Sequence, residues 1–244
     1  MRFIEPRRII ENRLNVKELP TYDTAILIFR DQYASSLIKY NLHCKPLNQK
    51  VLYGIDPNNT HEIVSGKYKI LVIEQVLWGG PQTAILIEEL FEFGVRLILG
   101  IGACGSLTER LRKNDVVVDS EALITDGTSK FYTKEKSIKP DKDLITFIKD
   151  KEIKTAISTT IDALYQETKS VISNFQKMGA EIINMESATF YAVTKKYKID
   201  AVWIGCVSDE LFEHEWTDWY NSKDGTVNSG KAALRIIKKI ISAR

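Results

Sequence analysis

A serine and an aspartate in the last fifth of the sequence have side chains that can take part in proton transfer. Ser208 and Asp209 come directly after the apolar run 201–207, which is typical of a strand buried on both faces. In open α/β sheets, ligands bind outside the carboxyl ends of the strands. A partly desolvated carboxyl group at such a place can hold a proton and donate it. The simpler alternative is that either residue caps a helix, and the pattern alone leaves both interpretations open.

A second carboxylate lies in the segment NMESA at residues 184–188, between an apolar stretch and a predicted helix. Glu186 at a helix start could simply suit the helix macrodipole. It could also accept hydrogen bonds from the vicinal hydroxyls of a ligand, because an ionised carboxylate offers only acceptors. Without further context, the structural role is the simpler interpretation.

The third feature is the glycine-rich segment GIGACGSL at residues 100–107, directly after the predicted strand residues 96–99. Glycines let a backbone turn sharply and let a ligand approach its N–H groups, so we expect a ligand-binding turn here. A dinucleotide site would also need a following helix and an acidic residue about 20 positions on. Glu121 lies near that distance, but residues 107–115 form a short charged stretch that leads into another strand. The sequence therefore disfavours a dinucleotide.

Short apolar runs alternate with helical patterns and would position these residues. The predicted strands are 25–29, 70–76, 96–101, 115–118, 156–160 and 201–207, and the predicted helices are 32–40, 82–93, 142–151, 167–177, 186–196 and 227–241. This alternation predicts an α/β layered fold with a largely parallel sheet. Residues 46–65 are polar and rich in turn residues, and we expect a surface excursion. Residues 213–225 carry His214, Trp216, Trp219 and Tyr220 and predict either a flap over a pocket or local packing.

Composition restricts the classes of protein that fit. The 244 residues include 34 Lys and Arg against 32 Asp and Glu, which gives a net charge of +2. A balance this even argues against a nucleic-acid partner. The longest apolar runs, 97–105 and 201–207, are far shorter than the roughly 20 residues that span a bilayer, so we expect no membrane partner. The charged N-terminus has no export signal and the three cysteines form no pairing pattern, which favours the cytoplasm.

Taken together and in order, the motifs resemble a known family. The segments are WGGP at 78–81, Glu89 with Leu90 and Gly94, IGACGSL at 101–107, DVVV at 115–118, DGTS at 126–129, Tyr165, NMESA at 184–188, YAV at 191–193 and VSD at 207–209. They resemble the nucleoside phosphorylase family that includes hexameric purine nucleoside phosphorylases and uridine phosphorylases. A related branch contains the methylthioadenosine/adenosylhomocysteine nucleosidases. The resemblance covers roughly residue 24 to the C-terminus.

The resemblance implies one α/β/α sandwich domain over residues 24–244 with a mixed, partly barrel-like central sheet, preceded by an N-terminal extension at 1–23. It implies cleavage of the N-glycosidic bond of a nucleoside, with inorganic phosphate as the possible co-substrate and no other cofactor or metal. It also implies a homo-oligomer, either a hexamer or a dimer as the basic unit.

Residue roles follow from the same resemblance. Glu186 would bind the ribose 2′- and 3′-hydroxyls, and Met185 would pack against the sugar. Asp209, beside Ser208, would be the general acid at N7 of a purine, since the leaving base accumulates negative charge. The further positions implied to contact the base are Leu164, Ala103, Cys104 and Gly105.

The phosphate-binding positions depart from the family pattern. Phe29 stands in place of a glycine and Tyr33 in place of an arginine in the loop after the first strand. The central strand has Gly100 and Ala103 where the family has an arginine and a Ser or Thr. Arg30 lies near this loop but out of register. Residues 45–67 contain no clear match for the arginine that a neighbouring subunit lends in this family, and Lys50 is no more than a candidate for it. Bidentate, charge-assisted bonds to phosphate cannot be made by Tyr, Gly or Ala.

Three hypotheses remain open from the sequence. The first is a purine-directed phosphorylase with an altered phosphate site, which is the family default. The second is a hydrolytic nucleosidase, for which a carboxylate that activates water cannot be placed convincingly. The third is a non-catalytic nucleoside-binding protein on a degenerate phosphorylase scaffold, because fold does not ensure function.

Overall fold

One mixed sheet runs through the protein. A computed structural model describes residues 3–16, 18–47, 52–212, 216 and 223–243, except for the side chains of 223–226. Within these residues the strands are β1 (Thr24–Ile28), β2 (Lys45–Pro46), β3 (Thr60–Ser65), β4 (Tyr68–Ile73), β5 (Leu97–Ser106), β6 (Val116–Leu123), β7 (Ser137–Ile138), β8 (Ile153–Thr160), β9 (Ile182–Asn184) and β10 (Asp200–Glu210). The α-helices are α1 (Pro6–Leu14), α2 (Gln32–Leu42), α3 (Gly80–Glu92), α4 (Lys142–Ile148), α5 (Lys169–Lys177), α6 (Ser187–Tyr197) and α7 (Lys223–Ser242).

The sheet has the strand order β10-β6-β8-β9-β5-β1-β4-β3-β2. Strand β10 also pairs with β5 in parallel, which closes β10, β6, β8, β9 and β5 into a barrel. The pairs β1–β4, β1–β5, β6–β8 and β8–β9 are parallel, whereas β10–β6, β5–β9 and β3–β4 are antiparallel. The predicted mixed, partly barrel-like sheet is confirmed.

Helices cover both faces of this sheet, which confirms the predicted three-layer α/β/α sandwich. One core joins buried side chains of α1, α3 and α6 to the sheet. The second core, on the opposite side, joins α2, α4 and α7 to alternate residues of the same strands. Strand β1 is buried along its whole length, as a strand covered on both faces must be.

The glycine-rich segment is the main correction to the sequence-based picture. Residues 100–106 do not form a turn but continue β5, which pairs with β10 over ten residue positions. The reason lies in the packing of Trp203, which is fully buried. A Cβ atom on Gly100 would lie 2.7 Å from the indole and one on Gly102 would lie 2.5 Å from it. These glycines make room for a large side chain instead of bending the strand.

Several short elements were missed by the sequence pattern. Residues 46–65 were expected to form a surface excursion, but Thr60–Ser65 forms an antiparallel strand beside β4. Helix α1 lies within the predicted N-terminal extension, and its Ile10 is fully buried in the core. Arg13 at the end of α1 makes an ion pair of 3.2 Å with the buried carboxylate of Glu89 on α3. Removal of one partner of such a pair is destabilising, because it leaves an uncompensated buried charge.

Two expectations fall on residues that the structure does not describe. Lys50 lies outside the described part of the chain, and so does most of the aromatic segment 213–225, of which the side chain of Trp216 is described. Within the described residues, no helix has the length and apolar character needed to cross a membrane.

Candidate active site

A cavity of about 220 Å³ lies at the carboxyl ends of β1, β5, β9 and β10. It brings together nearly all of the predicted site residues: Phe29, Arg30, Ala103, Cys104, Gly105, Leu164, Met185, Glu186, Ser208 and Asp209. Tyr33 and Gly100 do not line it. Tyr33 lies on α2 with its side chain 48% exposed, and Gly100 is covered by Trp203.

Asp209 reaches the cavity because of an irregularity in β10. The strand continues to Glu210, so Ser208 and Asp209 lie inside it and do not follow it as the sequence suggested. Val207 pairs with Cys104 and Asp209 with Gly105, which leaves Ser208 as an extra residue in a β-bulge. A regular strand turns successive side chains to opposite faces, whereas a bulge can re-aim one. Both Ser208 and Asp209 consequently line the cavity.

The carboxylate of Asp209 accepts two hydrogen bonds. The Ser208 hydroxyl donates to Oδ1 at 2.6 Å, and the indole N–H of Trp216 donates to Oδ2 at 2.9 Å. Asp209 is itself buried. These donors fix the orientation of the carboxylate at the wall of the cavity.

Glu186 lies on the wall formed by the start of α6. Its carboxylate accepts from the backbone N–H of Gly79 at 3.0 Å and of Met185 at 3.2 Å. Gly79 has φ of 106°, a conformation that favours glycine, and this turn aims its N–H at Glu186. Burial raises the pKa of Glu186 to about 7, and the two backbone hydrogen bonds oppose that shift. A carboxylate held in this way, away from water, is suited to accept hydrogen bonds from ligand hydroxyls.

Two buried polar side chains hold the start of α6 in place. The side-chain oxygen of Asn184 accepts from the backbone N–H groups of Glu186 and Ser187, at 3.1 and 2.9 Å. Asp126 accepts from Ser129 and, at 2.6 Å, from the hydroxyl of Thr189 on α6. The segment after β6 is therefore tied to the helix that positions Glu186.

The predicted phosphate region is filled by aromatic side chains. Phe29 is buried, and its ring lies 4.9 Å from the ring of Trp203. The Trp203 indole covers Gly100, the position at which the family pattern has an arginine. Ala103 lines the cavity without a hydroxyl. This wall offers apolar surface where an anion would need donors.

Among the described residues, Arg30 is the one residue with a cationic side chain that lines the cavity. Its backbone has φ of 50°, which is uncommon for a residue other than glycine. The guanidinium lies 5.2 Å from the ring centroid of Trp78, a cation–π arrangement, and Trp78 also lines the cavity. The loop bend that would let Arg30 face the cavity is thus present.

Sequence reasoning missed two carboxyl groups of this cavity. Asp31 follows Arg30 and lines the cavity while its Oδ1 caps α2 through the N–H of Ala34. Burial is the main cause that raises the pKa of Asp31. Glu167 lies beyond the 3₁₀-helix Leu164–Gln166 and was assigned to the helix that follows. The available signal was that they lie in the loops that follow β1 and β8, at the edge of the sheet where parallel strands end at the ligand crevice.

Comparison with known proteins shows the family of this chain. The family model described as the phosphorylase superfamily matches residues 33–242. The chain belongs to the phosphorylase superfamily. The predicted family is therefore confirmed, and the protein is a member of the group that contains nucleoside phosphorylases and nucleosidases.

Individual members of the phosphorylase superfamily are similar at low identity. A guanosine phosphorylase from Halorubrum lacusprofundi is 31% identical over 163 residues, which cover 63% of this chain and 68% of that protein. The structure of purine nucleoside phosphorylase from Toxoplasma gondii in complex with immucillin-H has a TM-score of 0.78 at 19% identity, with 100% of both chains covered. The 5′-methylthioadenosine/S-adenosylhomocysteine nucleosidase from Campylobacter jejuni has a TM-score of 0.71 at 16% identity, covering 91% of this chain and 99% of that one. Such structural likeness establishes the shared fold.

Proposed function

We propose that this phosphorylase-superfamily protein cleaves the N-glycosidic bond of a purine nucleoside. The observation that supports the proposal is that Glu186 and Asp209, from separate elements, face one cavity of about 220 Å³. A carboxylate for the ribose hydroxyls and an acid for the base are the two groups that this reaction needs from the protein.

Each residue has a defined task in the proposed reaction. Glu186 accepts hydrogen bonds from the ribose 2′- and 3′-hydroxyls, and Met185 packs against the sugar. As the C1′–N9 bond breaks, its electron pair moves into the purine, and Asp209 neutralises that charge at N7. Leu164, Ala103, Cys104 and Gly105 form the surface against which the base lies.

Phosphorolysis is the acceptor chemistry that family membership favours. Arg30 supports it, because a guanidinium can make charge-assisted hydrogen bonds to phosphate. The bend at Arg30 brings this cation to the cavity, where it would compensate for the family arginines that are absent here.

Hydrolysis is the second candidate, and the packing of Phe29 against Trp203 favours it. This apolar wall lacks the donors that would compensate the desolvation of a phosphate ion. Asp31 also lines the cavity, and a carboxylate there could accept a proton from an attacking water.

A nucleoside panel tests the proposal. Inosine, guanosine and adenosine are incubated with and without inorganic phosphate, with uridine as the pyrimidine control, and base and sugar products are identified by chromatography. Ribose 1-phosphate indicates phosphorolysis, and free ribose formed equally without phosphate indicates hydrolysis. Purine nucleoside binding by calorimetry without release of base would reject the enzymatic proposal in favour of a binding protein.

The proposed activity implies a cellular location and an oligomeric state. We propose a cytoplasmic role in nucleoside catabolism or purine salvage, by a homo-oligomer that is a hexamer or has a dimer as its unit. Light scattering after size-exclusion chromatography measures the assembly directly.

A further inference from the structure

Glu167 is a second carboxyl group at the Asp209 side of the cavity. It comes directly after the 3₁₀-helix Leu164–Gln166 and lines the same cavity as Asp209. Within the described part of the chain, no hydrogen bond or ion pair to its carboxyl group is found. A half-buried carboxyl that lines a ligand cavity and has no partner among the described residues is available for a ligand or a proton.

The surroundings of Asp209 are different. Both of its oxygens accept a hydrogen bond, from Ser208 at 2.6 Å and from Trp216 at 2.9 Å. Both oxygens of Asp209 are thus occupied by donors of the protein. Glu167 has no such donors among the described residues, so the two carboxyl groups differ in the hydrogen bonds that the protein makes to them.

Burial and, to a smaller extent, the negative charge of Asp209 together raise the pKa of Glu167 to about 7. The other titratable side chains that line the cavity are Arg30, Asp31, Cys104, Glu186 and Cys206. Of the cavity-lining charges, only Asp209 adds to the effect of burial on Glu167. Two carboxyl groups in one desolvated site avoid being ionised together, because like charges repel there.

We propose that Glu167 and Asp209 form a carboxyl pair that shares one proton and delivers it to the leaving purine. In the empty cavity the proton resides on Glu167. When the C1′–N9 bond breaks, its electron pair enters the purine, N7 takes the proton of the pair, and both carboxyl groups become ionised. The acceptor, water or hydrogen phosphate, adds to C1′ and releases one proton, which restores the pair. This inference rests on the proposed cleavage of a purine nucleoside.

The experiment compares guanosine with 7-methylguanosine, whose N7 already carries a positive charge and needs no proton. For Glu167→Gln we expect kcat on guanosine to fall by roughly 10²-fold or more, as for loss of a general acid. On 7-methylguanosine we expect less than about a threefold change, because the proton is not needed. Activity of the wild type on guanosine, unlike that on 7-methylguanosine, should fall as the pH rises above about 7. Gln166→Ala, at the exposed neighbouring position, is the matched control and should leave both substrates unaffected.

A structural role for Glu167 would lower the turnover of both substrates equally, and that result, or no loss on either, overturns the carboxyl pair. If the wild type releases no base from any nucleoside, the proposed function fails instead. The pair is then judged by ¹³C NMR titration of the carboxyl groups. Because Glu186 also titrates near pH 7, the titration is carried out in a Glu186→Gln background. The remaining step near pH 7 must disappear on Glu167→Gln and shift to lower pH on Asp209→Asn, and its persistence in both variants overturns the pair independently of activity.

Discussion

Trp203 lies so close to Gly100 that a Cβ atom on the glycine would be 2.7 Å from Cε3 of the indole. The two residues are direct partners in the parallel register of β10 and β5. A tryptophan at one position therefore requires a glycine at the other. The family arginine cannot be accommodated at residue 100 while this indole is in place.

Replacement of Gly100 by alanine tests that dependence. Because the Cβ atom would overlap a fully buried ring, we expect Gly100→Ala to lower the free energy of unfolding by about 1–3 kcal/mol. Urea denaturation followed by fluorescence measures it. In a Trp203→Leu background the same glycine substitution should cost less, since the overlap is relieved. Equal costs in the two backgrounds would show that the contact does not constrain residue 100.

Asp209→Asn keeps the size of the side chain but removes the carboxyl group. We expect kcat on a purine nucleoside to fall by about 10²- to 10⁴-fold while the dissociation constant changes little, because an amide cannot supply the proton. Steady-state kinetics and calorimetry separate the two effects. Asp200→Asn, at the exposed start of the same strand, is the control. Full activity of Asp209→Asn would remove Asp209 from the reaction.

Glu186→Ala tests the proposed hydrogen bonds between Glu186 and the ribose hydroxyls. We expect the variant to lose about 10- to 100-fold in affinity for a ribonucleoside, since each hydrogen bond to a charged group contributes about 1.5–3 kcal/mol. A 2′-deoxyribonucleoside should lose less, because it makes one bond fewer. Calorimetric titration of both ligands checks this, with Glu135→Ala, an exposed partner of Lys195 on α6, as the control. Equal losses on the two ligands would contradict the assignment.

Glu186 also predicts how stability depends on pH. The pKa of Glu186 is raised from its ordinary value of 4.5 to about 7 in the folded protein. The contribution of this group to the free energy of unfolding is therefore fully present below pH 4.5 and is lost as the pH rises through 7. Between pH 5 and pH 8 the wild type should therefore lose more stability than Glu186→Gln does, by up to about 3 kcal/mol. Urea denaturation at the two pH values measures this difference. The same pH dependence in both proteins would contradict the burial of an ionisable group at this position.

The order of strands and helices, and the site residues that lie beside them, could be predicted from the sequence. Glu186 and Asp209 were identified from their place beside apolar runs and from the family motifs that contain them, and the structure brings both to one cavity. Layering was equally predictable, because buried strands and amphipathic helices have distinct periodicities. Strand ends were less predictable, as the extension of β10 through Asp209 illustrates.

Contacts between distant segments could not be predicted in the same way. The glycines of β5 were interpreted as a turn because their partner, Trp203, is far away in the sequence. Glu167 was included in a helix because an acidic residue near a helix start is ordinary. Only the folded chain places it in a cavity with Asp209, where burial changes its chemistry.

The bulge at Ser208 makes the position of Asp209 depend on the number of residues in β10. Side chains change face at every residue along a strand, so removal of one residue before Asp209 would turn its carboxyl group to the opposite face. Every residue type of the site would be retained in such a chain, yet the acid would no longer face the cavity. The residue count of β10, as well as the residue types it carries, therefore determines whether a carboxyl group faces this cavity.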